Sequence, residues 1–153
     1  MKTLKEKIQE GLKVNSKSKF SKGYNYQPQT KDELKEIVNQ LIKKRGNDAD
    51  LNDIDTSKIT SMASLFRLTE FNGDISNWNV SKVENMSCMF YNSKFNGDIS
   101  RWDVSSVEYM NSMFVNSKFN GDISKWEINS DADMNNMFYK SPLENNPPKW
   151  YKK

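Results

Sequence analysis

Tryptophan occurs at positions 78, 102, 126 and 150 and nowhere else in the chain. The spacing is 24 residues each time, and other columns keep it. Phe71, Phe95 and Phe119 do so, as do Phe66, Phe90, Phe114 and Phe138 and Met62, Met86, Met110 and Met134. A further column runs Leu65, Met89, Met113, Met137. A fixed period in the twenties means stacked units, because one unit this short cannot bury its apolar face alone. Composition agrees. Apolar residues are only 35%, low for one compact globule, yet aromatics reach 12%, which suits a thin core filled by a few large side chains.

One unit, Phe71 to Lys94, can be read physically. Asn72-Gly73 is a turn signal. Ile75, Trp78 and Val80 suggest a short strand, with Trp78 and Val80 on one face. Ser81 and Glu84 have the spacing of a capping box, and Ser105 and Glu108 repeat it. Val83, Met86, Met89 and Phe90 then make a helical stripe ended by Asn92. The expected fold class is therefore an α/β solenoid, leucine-rich-repeat-like: a right-handed stack of short parallel strands and short helices, with an N-terminal capping helix. Units fall at about 50–73, 74–97, 98–121 and 122–145. A closing half-unit, 146–153, has Leu143 before it in the phenylalanine column and Trp150 in the tryptophan column. In the first unit Leu51, Ile54, Thr56 and Ile59 occupy the columns without aromatics.

Residues 31–46 form the expected cap. Thr30 and Glu33 make a capping box, Leu34, Ile37, Val38, Leu41 and Ile42 a stripe, and Gly46 a stop. Residues 1–30 read as a basic leader and linker, with Leu4, Ile8 and Leu12 on one side of a short helix that would be marginal alone. Residues 1–46 carry 12 Lys/Arg against 5 Asp/Glu; residues 47–153 carry 11 against 15. Such asymmetry points to an interaction tail or to a solubilising one. No apolar run reaches membrane length and no secretory signal is visible, so the expected location is cytoplasmic, with surface or virion association as the variant.

The units FNGDIS-x-W-x-V-S-x-V-x-x-M-x-x-MF resemble the BspA-like leucine-rich-repeat proteins of bacteria, including a surface-protein branch found in mycoplasmas. The resemblance covers about residues 31–153. It implies a right-handed solenoid of short parallel strands and a protein-binding role, often adhesion, with no catalytic residues to carry over. The leader MKTLKEKIQEGLKVN is similar to short leaders on proteins of gut-bacterial tailed phages.

Chemistry is sparse. The chain has no histidine and one cysteine, which removes His-based triads, internal disulfides and Cys/His zinc sites. Cys88 shares a column with Ser64, Ser112 and Asn136 and reads as a small-residue slot. Asp50, Asp74, Asp98 and Asp122 form a ladder beside the Gly turn; they could line up for calcium, but hydrogen bonding to turn amides is the expected role. No enzyme, cofactor or metal is expected. The expected function is a non-catalytic protein-binding module using the exposed strand face. That face has one column of Asp53, Asn77, Arg101 and Lys125 and another of Asp55, Asn79, Asp103 and Glu127. Tyr91, Tyr109, Tyr139 and Tyr151 are further off-core candidates. The alternative is a nucleic-acid or anionic-surface binder acting through the basic leader, as a phage-borne accessory or structural protein would.

Overall fold

The structure is a computed structural model that describes residues 23–152 together with Met1–Thr3 and Glu6. The expected helix within Met1–Leu12 falls outside the described residues except for its first positions, where Thr3 and Glu6 exchange backbone-to-side-chain hydrogen bonds.

Residues 24 apart lie in adjacent layers. Single-residue parallel bridges join Asp50 to Asp74, Ser61 to Asn85, Asn85 to Tyr109 and Tyr109 to Asp133. The phenylalanine rings stack through the core: Phe66, Phe90, Phe114 and Phe138 have successive centroid separations of 5.6, 5.5 and 5.8 Å. Within a layer, Phe90 stacks on Phe95 and Phe114 on Phe119, each at 4.5 Å. These six rings and Phe71 are all buried, and each contributes on the order of 2 kcal/mol of apolar burial.

The layers are not built as expected. Among the described residues from Gly23 onward there is one α-helix and no sheet, and β-structure is confined to isolated bridges. The α/β solenoid of strands and helices is thereby corrected: the coils are made of turns. The segment expected as a helix, Val83 to Asn92, is a run of tandem β-turns. The Met89 amide donates to the Met86 carbonyl and the Tyr91 amide to that of Cys88, three residues back rather than four. Cys88 and Asn92 have left-handed backbone, φ 55° and 51°. Amides at alternate positions leave the layer: Met86, Cys88, Phe90 and Asn92 donate to the carbonyls of Tyr109, Asn111, Met113 and Val115 at 2.8–3.1 Å. The same pattern joins 62–68 to 85–91 and 110–116 to 133–139. The result is a wall of turns that is zipped layer to layer.

The expected capping boxes dissolve with the helices. The Ser81 amide and hydroxyl both donate to Asn79 Oδ1, and those of Ser105 to Asp103 Oδ1, closing turns rather than starting helices. The tryptophan column gains a reason of its own. Each indole N–H donates to the carbonyl 27 residues back: Trp78 to Leu51, Trp102 to Ile75, Trp126 to Ile99 and Trp150 to Ile123, at 2.8–3.2 Å. The glycine column is steric. A Cβ at Gly97 would stand 2.8 Å from the Phe95 ring, and one at Gly73 2.0 Å from the Ala49 carbonyl oxygen.

The helix found from Gly23 onward, α1, spans Lys31–Arg45. Thr30 Oγ1 accepts from the Glu33 amide, and the Glu33 carboxylate accepts from the Gln29 amide. Leu34, Ile37, Val38 and Leu41 are buried in the same core cluster as Leu51 and Ile59. Lys35 Nζ reaches the Leu65 carbonyl; burial, then repulsion from Lys31, lowers the pKa of this ammonium.

Candidate interaction surfaces

The residues expected to form a binding face divide by what their side chains already do. Asp53 is engaged. Arg45 holds it through two guanidinium hydrogen bonds of 2.9 and 2.8 Å, and Asn25 Nδ2 donates at 2.9 Å. Partial burial works against the charged carboxylate, but these donors outweigh it and keep the pKa of Asp53 below the usual range. Asp55, Asn79 and Asp103 each accept from the amide two residues on, at Ser57, Ser81 and Ser105. Because the described residues form no strand, this face is a line of turn corners, and Asp55, Asn79 and Asp103 of one column belong to the scaffold. Asn77 accepts from Arg101 Nη2 at 3.2 Å. Arg101, Lys125 and Glu127 are exposed.

The Asp ladder acts on turn amides as expected. The Asn52 amide donates to Asp50, Ser76 to Asp74, Ser100 to Asp98 and Ser124 to Asp122, at 2.8–2.9 Å. Hydrogen bonding from Ser76, Ser100 and Ser124 holds Asp74, Asp98 and Asp122 below the ordinary carboxylate pKa. Among the described residues no group of three His, Cys, Asp or Glu could hold a metal ion, and no helix is long and apolar enough to cross a membrane.

Sequence reasoning underrated the wall of turns. Apart from Met1, the large apolar or aromatic residues that stand exposed among the described residues are Leu68, Tyr109 and Tyr139, at 61%, 47% and 48%. All three belong to the wall: the Leu68 amide donates to the Tyr91 carbonyl, and the Tyr109 and Tyr139 carbonyls accept from Met86 and Asn116. Two cations lie over its rings, Arg67 at 5.0 Å from the Tyr91 centroid and Lys140 at 5.3 Å from that of Tyr139. Tyr91, Tyr109 and Tyr139 were visible as off-core residues; Tyr151, expected with them, instead packs against the core beside Phe138. That the first three stand on one backbone ladder was hidden, because a helical reading does not join successive layers by their amides.

Residues 33–150 match the family model described as "Mycoplasma protein of unknown function, DUF285". The chain belongs to the DUF285 family. The match covers α1 from Glu33 and continues to the last tryptophan, so the DUF285 unit includes both the cap and the coils. No curated protein and no solved structure matches the chain significantly.

Proposed function

We propose that this DUF285 chain is a non-catalytic protein-binding module, and that the partner docks on the wall of turns. The observation that carries this reading is the gathering of Leu68, Tyr109 and Tyr139 on one laddered wall, away from the core. Tyrosine gives large contact area at small rotamer cost and is enriched in binding patches. Backbone bonds between layers hold the wall, so little ordering entropy would be lost on docking. The turn-corner charges Arg101, Lys125 and Glu127 would tune encounter and partner choice more than affinity. The resemblance to BspA-like repeats points to the same class of role.

Site-specific photo-crosslinking in the native host tests this. A crosslinking amino acid at Tyr109 or Tyr139 should capture one discrete protein, and the same group at Lys125 should capture it weakly. Capture only from Arg101 and Lys125 would move the site to the turn corners. Capture of nucleic acid through residues 1–22 would replace the reading with the basic-leader alternative.

A further inference from the structure

The C-terminal half-unit closes the core but leaves the wall open. Trp150 stacks on Trp126 at 6.2 Å and Tyr151 sits edge-on against Phe138 at 4.9 Å, so the tryptophan column and the Phe66–Phe138 column are covered. The backbone ladder beside them stops. In each earlier layer the amides at four alternate positions donate to the next layer, as Met110, Ser112, Phe114 and Asn116 do to Asp133, Asn135, Met137 and Tyr139. In the last layer the equivalent amides are Met134, Asn136, Phe138 and Lys140. Lys140 is taken up by Glu144 Oε2 at 3.1 Å. The other three donate to no described residue. They border a groove of about 610 Å³ that Asp133, Tyr139, Glu144 and Tyr151 also line.

We propose that this groove takes a peptide segment from a partner protein, which folds into the same tandem turns and adds to the wall as one more layer. The wall itself specifies the occupant. Its backbone runs parallel to 133–139 and presents three carbonyls at two-residue intervals to Met134, Asn136 and Phe138. It needs residues that accept left-handed backbone, as Ser112 (φ 58°) and Asn116 (φ 51°) do in the layer below; Gly, Asn and Ser suit, while β-branched residues do not. At the phenylalanine column it needs a small side chain, because Tyr151 already covers Phe138. Asp133 and Glu144 against the one cation Lys152 leave the lining net acidic, which favours a basic residue, such as the lysine that follows each internal wall segment at Lys94 and Lys118. Unpaired ladder edges are ready templates for such addition. Tyr139 borders both this groove and the tyrosine-bearing wall surface, whereas Tyr109 lies outside the groove, so crosslinking at Tyr109 and exchange at the three amides tell the two readings apart.

The test is amide hydrogen exchange on the full chain, read residue by residue by NMR. The probe is a peptide copying Tyr109–Lys118 with F114S. In the dilute free chain, Met134, Asn136 and Phe138 should exchange faster than Met110, Ser112 and Phe114. Saturating peptide should slow those three by about tenfold or more. The same peptide carrying S112V and N116V should leave them unchanged. Unchanged exchange with the first peptide overturns the proposal. So does protection already present in the free chain: if independent of concentration, residues 1–22 hold the edge, and if it grows with concentration, a second copy does.

Discussion

Asn92 shows what a single residue must supply in this fold. Its left-handed backbone, φ 51°, lets its amide leave the layer for the Val115 carbonyl while Tyr91 closes a turn on Cys88. Asparagine tolerates that conformation better than most residues. Asn92→Val should therefore cost about 1–2 kcal/mol, while Asn92→Gly should be near neutral; denaturant unfolding of the pair separates backbone strain from lost contacts. Gly97 answers to a different demand. Its φ is ordinary, and the obstacle is the Phe95 ring. Gly97→Ala should destabilise by about 1–3 kcal/mol through overpacking, and the double variant Gly97→Ala with Phe95→Leu should recover part of that. The aspartate ladder contributes to the chain's acid sensitivity, together with Asp53 and Asp103, whose carboxyls are also held below the usual range. Asp74, Asp98 and Asp122 have folded pKa values below their unfolded ones, so the stability they confer is complete above the unfolded value, near 4. It is lost as pH falls through the folded values. Melting temperature should be flat above about pH 5 and drop below about pH 4. The triple change to asparagine, which keeps an acceptor for the turn amide as Asn79 does, should flatten that drop.

At the scale of elements, α1 and the turn wall show why one was legible and the other was not. The Thr30 cap, the five-residue stripe and the Gly46 stop are three independent signals, and the helix runs Lys31–Arg45. Thr30→Ala should cost about 1 kcal/mol. Deleting residues 31–46 should expose Leu51, Ile54 and Ile59 and end cooperative unfolding, seen as a broadened melt with aggregation. The segment from Ser81 to Asn92 offered a cap, a stripe and a stop as well, but its cap spacing belongs to turns closed on Asn79 and Asp103, which left the spacing by three and four. Tandem turns closed by i to i+3 bonds produce the same spacing, so periodicity alone could not choose between them. What could have chosen was the polar content of the segment. Asn85, Ser87, Asn92 and Ser93 are poor helix formers that favour turns, and Cys88 and Asn92 recur as small or polar columns where left-handed backbone is needed. The expected binding columns fell short for a related reason. Alternation identified residues that point away from the core but could not show that Asp55, Asn79 and Asp103 close turns or that Arg45 holds Asp53.

For the molecule as a whole, stability should follow position in the stack. In an array of layers each coil touches only its neighbours, so interior losses act on two interfaces and terminal losses on one. Trp102→Ala should cost about 3–5 kcal/mol. Trp150→Ala, at the half-buried end, should cost clearly less and fray the last layer first. The central claim is that the layers are joined by a backbone ladder of turns, with no helix in the repeating unit. Scalar couplings across hydrogen bonds, measured by NMR on the full chain, test it most directly. The account predicts a coupling from the Phe90 amide nitrogen to the Met113 carbonyl carbon, and likewise from Cys88 to Asn111. A coupling from Phe90 to Met86, with none to Met113, would restore the helix and contradict the account.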